Sequence, residues 1–450
     1  MIIGELEYKE KQYNFTIEED ILKLILKENK INNIFGFFEN FGKIEELETD
    51  YLIGQCQPDN HEIIIFVDPF TSKNSTKLLK VNYIFEFKNN ITIFDHMIFY
   101  VEEINYIYNV QKAIEYKIND DGTRSILLKS NNETSSEWQT FIFEGKSILF
   151  KFGIGQTTNL GNSNIPITLQ SAMVFKFEET DNYEFLIQLY HLAKNLIMLL
   201  CNRNNFIINN VKLLNLKKQL NDVCNFTSLE DKNILKDNKR VLEKNFLSYD
   251  LIKNNINKIF QDLADKKIYL DHIPISRKNG LIITNARFLL ITAAFEWEFE
   301  RKYPEGIKHK NKTIEARELV KEHLNNQINK NTGKAKEIFK YLLDDVDNDT
   351  LSSKFNHAYG HMEDILKNYT KNLYEENKEK FDCIKCGERI AKQRNNFAHG
   401  NIEQEFIGTS ILDINLLEKM VYLLQFSHYD IDMNDIKKEF GNLFGVTFER

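Results

Sequence analysis

The feature that most constrains this chain is a change of period. Up to about residue 178 apolar residues recur at every second position or in short solid runs, and from Asp181 onward they recur at intervals of three and four. In Lys80-Val81-Asn82-Tyr83-Ile84-Phe85-Glu86-Phe87 the odd positions are apolar, which places one face of an extended strand in a core. His61 to Val67 is a continuous apolar run ended by Asp68-Pro69, the pattern of a strand buried on both faces. Ile114 to Ile118 and Ile126 to Leu128 flank Asn119-Asp120-Asp121-Gly122 and predict a hairpin. Glu137 to Phe143 and Ser147 to Phe152 predict another, turning at Glu144-Gly145. Gly153-Ile154-Gly155 has the outline of a phosphate loop. It leads into Gln156-Thr157-Thr158-Asn159 and an Asn-rich stretch rather than a helix N-terminus, so an ordinary loop is expected.

Phe185, Leu186, Leu189, Leu192, Leu196 and Leu199 predict an amphipathic helix at about 181–203. Phe206 to Leu216 returns to alternation, and the polar stretch Thr227 to Lys239 reads as a linker. Helical spacing then runs from Phe246 to Leu263 and from Arg287 to Tyr303. The second segment aligns Phe288, Ile291, Phe295 and Phe299 on one stripe before Pro304 and Gly306. Further helices are expected at Thr313 to Gln327, Ala335 to Leu343 and Phe355 to Leu366, with a final one from Asp413. The expected fold class is α+β: a β-rich N-terminal domain over 1–240, then an α-helical bundle over 241–450.

At 450 residues, 42% hydrophobic and 12% aromatic with only 5 prolines, the composition is that of globular domains, more than one by length. A formal charge of -8 excludes a chain coated for nucleic acid, so any RNA contact has to come from a local basic patch. Five scattered cysteines and the start Met1-Ile2-Ile3-Gly4-Glu5, which is not a secretory signal, point to the reducing cytoplasm. The most apolar run, Leu196 to Cys201, sits between His191, Lys194, Asn195 and Arg203. It is far shorter than the roughly 18 residues of a membrane span, so no membrane is expected.

The sharpest motif is Arg394-Asn395-Asn396-Phe397-Ala398-His399-Gly400, near the end of a helix-patterned segment. An Arg-x-x-x-x-His element with a polar residue after the arginine resembles the signature of HEPN ribonucleases. Its residue types suit RNA scission by the ribose 2′-hydroxyl, which needs a group titrating near neutrality to move a proton and a cation to meet phosphorane charge. Five residues at about 100° each leave Arg394 and His399 roughly 140° apart on an ideal helix. They converge only if the helix is distorted or ends at the histidine, where Gly400 supplies a left-handed cap, or if a second copy completes the site across a two-fold axis. HEPN proteins characteristically use the second copy.

Lys385, Arg389, Lys392 and Arg394 form a basic patch around the motif, with Lys385, Arg389 and Lys392 as candidate RNA contacts. Phe381, Ile384 and Ile390 are expected to be buried, and Asp413 to cap a following helix that carries Leu416, Met420, Leu423 and Leu424. The β-rich region, with its Gly54-Gln55-Cys56-Gln57 turn and apolar strand, followed by a helical domain ending in Arg-Asn-x-x-x-His, resembles the ApeA family of bacterial anti-phage proteins along essentially the full chain. That resemblance implies a metal-independent endoribonuclease toxin, acting on host RNA such as tRNA in abortive infection, with Arg394 and His399 catalytic. It implies that Asn395 orients the phosphate or the histidine, and that the β region senses a phage component or restrains the nuclease. It also implies a homodimer or higher even oligomer, with no cofactor. The alternative is a non-catalytic HEPN-like protein that binds RNA or a partner.

Cys383-Ile384-Lys385-Cys386 supplies half of a zinc ligand set, and His357 and His361 can complete it only from a neighbouring helix. The cysteines are expected instead to pack as small apolar residues, with no metal. Glu296 and Glu298 flank Trp297, and Asp344, Asp345, Asp347 and Asp349 cluster where a solvated loop is expected. There is no Gly-x-Ser-x-Gly elbow and no Walker loop.

Overall fold

The computed structural model describes residues 1–27, 50–68, 76–89, 91–158, 165, 167–208, 210–218, 220–230, 235–400, 406 and 408–446. Pro69 and the Asn-rich run after Thr158 lie outside the described residues. The chain divides into two units, Met1–Asp265 with Ile275–Arg277, and Lys266–Pro274 with Lys278–Arg450. The α+β class holds: the first unit is β-rich and the second helical.

In the first unit, β1 (Ile2–Tyr8), β2 (Lys11–Glu18), β3 (Ile21–Leu26), β4 (Tyr51–Cys56), β5 (Glu62–Val67) and β6 (Thr76–Phe87) pair antiparallel in the order β6-β3-β2-β1-β4-β5. β5 pairs back to β6 and closes a barrel, which leaves these strands without a free edge. The Phe15 ring fills its interior. A Cβ on Gly4 would lie 2.6 Å from that ring and 2.1 Å from the Gln55 carbonyl, and one on Gly54 would lie 2.9 Å from the ring. Glycine at both positions is therefore a packing requirement of the barrel.

β6 also borders an open antiparallel sheet. The sheet continues through β14 (Leu220–Ser228), β13 (Asn210–Asn215), β7 (Phe94–Tyr100), β12 (Ile167–Thr180), β11 (Lys146–Thr158) and β10 (Gln139–Phe143). A bulge lets one strand serve both: Phe66 pairs with Tyr83 but Val67 with Val81, leaving Asn82 as the extra residue. Its side chain donates to Asp68 at 2.6 Å, and its carbonyl accepts from the Leu229 amide at 2.8 Å. Before the bulge Leu79 and Val81 point into the barrel. After it Tyr83, Phe85 and Phe87 point to the other side, where Phe85 and Phe87 meet Tyr183 and Tyr83 meets His191. The apolar stripe legible in the sequence thus serves two cores, and β5 beside it is buried on both faces as its solid run predicts.

Tyr183 and His191 belong to α1 (Tyr183–Cys201), which lies on the open sheet with Tyr190 against Phe99 and Phe226, and Phe185 against Phe143 and Phe177. This helix is long and apolar enough to cross a membrane by length and composition. Its apolarity is accounted for by the core it fills, since 11 of its 19 residues are buried. Arg203, expected as a polar flank, is itself buried and paired with Glu103 at 2.8 Å.

Several expectations are corrected. The first unit runs to Asp265 rather than 240, because α2 (Ile256–Ala264) is tied to the sheet. Phe260 stacks on Phe141 at 4.9 Å, and the Gln261 side chain accepts from the Ile142 amide and donates to its carbonyl, satisfying the edge strand β10. The single helix expected over Phe246 to Leu263 is broken into Tyr249–Ile252 and Ile256–Ala264. Gly153-Ile154-Gly155 is not a loop but the middle of β11, where Gly153 faces Ala172 and Gly155 faces Gln170. Both expected hairpins form: β8 (Ile114–Ile118) pairs with β9 (Arg124–Leu128), and β10 turns into β11 through Glu144 and Gly145, both at positive φ.

In the second unit α3 (Asn285–Lys302), α6 (Leu351–Glu376), α7 (Cys383–Ala398) and α8 (Ser410–Phe426) pack against one another as a bundle. α4 (Asn311–Lys330) and α5 (Gly333–Asp345) pair with each other and bury no residue fully. Phe288, Ile291, Phe295 and Phe299 form the buried stripe of α3. One helix beyond those expected, α9 (Met433–Phe444), sets Phe440 and Phe444 edge-on against Tyr422 of α8.

Gly4→Ala and Gly54→Ala are each expected to cost about 1–3 kcal/mol, since the displaced neighbours are backbone and a caged ring. Gly360→Ala, within α6 and facing open space, should instead stabilise by about 0.5–1 kcal/mol. Denaturant midpoints of the three variants check this, and a Gly4→Ala variant as stable as the parent would contradict the packing described for the barrel.

Candidate functional site

Helix α7 begins at Asp382, whose side chain accepts from the Lys385 amide at 3.1 Å. It stays helical through Ala398. His399 is its C-cap at φ -88°, and its amide reaches the Asn395 carbonyl at 3.1 Å. Gly400 follows in the left-handed region at φ 80°, the termination its position predicts. Phe397 anchors this end of the helix, edge-on to Phe288 of α3 at 5.6 Å. The His399 ring is consequently delivered to solvent at the tip of a helix fixed by its other face.

Arg394 lies on the last full turns and is partly exposed. Its guanidinium donates to Glu296 of α3 at 3.1 Å and to the Asn395 side chain at 3.2 Å. Asn395 therefore contacts the arginine, rather than the histidine that its expected role also allowed. The helix is regular from Arg394 through Ala398, so the helical period turns the backbone at position 399 about 140° round from Arg394, while His399 itself is the C-cap and has left helical dihedrals. Glu296 was not linked to the motif by anything in the sequence, 98 residues separating the two.

The basic patch is smaller than its residue types suggest. Lys385 and Lys392, two turns apart, are exposed on one face of α7. Arg389, expected to contact RNA, is turned inward: its Nε and a terminal nitrogen donate to the two oxygens of Asp413 at 2.7 and 2.8 Å. Asp413 is fully buried within α8 and also accepts from the Tyr374 hydroxyl, so it joins three helices instead of capping one. The N-cap of α8 is Thr409. Ile390 is buried as expected and Phe381 half-buried, whereas Ile384 is exposed.

The cysteine–histidine grouping does not assemble. Cys386 is buried beside Tyr374, and Cys383 donates to the Asn356 side chain. His357 and His361 instead pack on each other and on Tyr303. Burial, followed by Asp382 and Glu363, pushes the Cys383 thiol up to about 11, and burial raises Cys386 further, so both are held as thiols. Of the acidic groups, Glu298 is buried and accepts from the Tyr269 amide at 2.9 Å. Asp349, expected in a solvated loop, accepts from His309, Arg317 and the Ile307 amide.

Arg389→Met should cost about 3–5 kcal/mol, because it leaves the buried Asp413 carboxylate without its cation. A loss below about 1 kcal/mol accompanied by weakened RNA binding would restore Arg389 to the RNA-contacting role. A second prediction concerns His272, buried against Tyr422, where burial lowers its pKa from 6.5 to about 4. Between those values the unfolded chain binds more protons. Stability of the helical unit therefore falls as pH drops through this window, by about 3 kcal/mol in full. Melting curves across the window should show the slope in the parent and lose most of it in His272→Phe; an unchanged slope in the variant would contradict the assignment.

Comparison of the chain with protein-family models, with curated proteins and with solved structures finds no match.

Proposed function

We propose that the helical unit is a HEPN-type, metal-independent endoribonuclease and that the chain acts as an RNA-cleaving toxin of an anti-phage, abortive-infection system. The observation that carries this reading is the end of α7, where His399 stands exposed at a glycine-terminated tip and Arg394 is held one turn earlier by Glu296 and Asn395. In this reading His399 takes the proton of the ribose 2′-hydroxyl or protonates the leaving 5′-oxygen, and the Arg394 fork neutralises the phosphorane oxygens. The products carry 2′,3′-cyclic phosphate and 5′-hydroxyl ends. Lys385 and Lys392 supply the local positive charge that an acidic chain needs to hold RNA.

The regular helix supports a composite site, in which Arg394 of one copy faces His399 of another across a two-fold axis. A homodimer or a higher even oligomer follows from that, and the five scattered cysteines support the reducing cytoplasm as its compartment. The resemblance to the ApeA family supports tRNA as one host substrate and a phage component as the trigger sensed by the β-rich unit. The Arg394–Glu296 ion pair favours one rival: a HEPN-like binding protein in which the arginine is structural and RNA is held without cleavage.

Incubation with total RNA in the presence of a chelator separates the two. The parent is expected to release fragments with cyclic phosphate ends, and His399→Ala to lose at least about 100-fold in rate with unchanged melting. Arg394→Lys should fail nearly as badly, since an ammonium cannot grip two oxygens at once. RNA bound equally by the parent and His399→Ala, with cleavage by neither, would establish the binding protein.

A further inference from the structure

The barrel brings together three side chains that no motif joins. Cys56 is the last residue of β4 and points into the barrel core, in line with Leu52. His61 stands immediately before β5, and its carbonyl accepts from the Cys56 amide at 2.9 Å, so the intervening turn folds the histidine back over the cysteine. Glu86 pairs with Ile63, a barrel-core residue, and so shares its face. The bulge at Asn82 puts it there by reversing which residues of β6 face inward. A sulfur, an imidazole nitrogen and a carboxylate oxygen from these residues lie within 4.8 Å of one another, with His61 Nε2 3.9 Å from Glu86 Oε1.

We propose that Cys56, His61 and Glu86 form a binding site for a divalent transition-metal ion, with zinc the best match, leaving a fourth position at the barrel mouth for water or an incoming donor.

The donor set is that of zinc proteins, and bond lengths of about 2.3 Å to sulfur and about 2.0–2.2 Å to nitrogen and oxygen set tetrahedral ligand separations of roughly 3.4–3.6 Å. Closing the observed spacing to these values needs small rotations of His61 and Glu86, whose side chains are both about 30% exposed and able to turn. The thiolate favours zinc over calcium or magnesium. A dication attracts carboxylate and thiolate alike, with the thiol proton released to solvent on binding. Among the described residues this is the grouping of three or more potential ligands at such spacing, and it owes nothing to Cys383 or Cys386. The proposal is independent of the ribonuclease reading.

The test uses the full chain, stripped with chelator and titrated with Co²⁺ and then Zn²⁺. One Co²⁺ per chain should produce a thiolate-to-cobalt charge-transfer band in the near ultraviolet, which Zn²⁺ displaces. Cys56→Ser should abolish the band, and His61→Ala and Glu86→Gln should each weaken binding by about tenfold or more. The Cys383→Ser/Cys386→Ser double variant should keep it. Absence of the band in the parent, or its survival in Cys56→Ser, overturns the site, with Cys56 then only a small apolar residue of the barrel. If Cys56→Ser fails to fold, the two rim variants decide, because unchanged affinity in both is equally fatal to the proposal.

Discussion

Asp413 is the constraint around which the helical unit is arranged. A carboxylate wholly removed from water is tolerated only when its oxygens are bonded and its charge is met, and Arg389 and the Tyr374 hydroxyl do both. The three groups come from α8, α7 and α6, so one ion pair fixes the placement of three helices. The same logic extends along α8, which is buried nearly all round. Glu418 is met by Arg287 and Lys419, and Gln425 donates to the Tyr269 carbonyl. The bonds that join different elements are lost if a helix slips by one turn, which gives the bundle a register that apolar packing alone does not specify. The tip bearing His399 inherits that rigidity, as a site built on a braced helix should.

In the first unit the corresponding constraint is geometric. β6 has to close a barrel and also border an open sheet, and a strand with strict alternation would give its whole apolar stripe to one of them. The bulge at Asn82 divides the stripe, with Leu79 and Val81 inside the barrel and Tyr83, Phe85 and Phe87 under α1. It also turns Glu86 toward Cys56 and His61. One inserted residue accordingly accounts for the shared strand, for the aromatic layer under α1 and for the three-ligand cluster.

What was legible in the sequence was local. The solid apolar run of β5, the strand at β6, the two hairpin turns, the stripe of α3 and the glycine stop at Gly400 follow from periods and turn chemistry within a few residues, and the structure has them all. What escaped was long-range. Nothing near Phe260 or Gln261 says that they belong to the edge strand β10, which is why the boundary at 240 fell too early. Arg389 reads as a free cation until Asp413 is brought beside it, and Glu296 reads as a surface acid until α3 carries it to Arg394. The Gly153-Ile154-Gly155 segment looks like a loop because its glycines lack side-chain pattern, while its pairing to β12 depends on residues fifteen to nineteen positions away. The cluster of Cys56, His61 and Glu86 depends on a bulge that the spacing of apolar residues conceals.

The most direct test of the ribonuclease account is complementation between two dead proteins. Arg394→Ala and His399→Ala chains, each inactive alone, are mixed, exchanged between oligomers and assayed on RNA in chelator. If the site is built from two copies, a mixed dimer carries one intact Arg394–His399 pair, and statistical exchange returns about a quarter of the parental activity. No recovery after verified exchange, with the parent active, would show that the two residues do not act together across a two-fold axis.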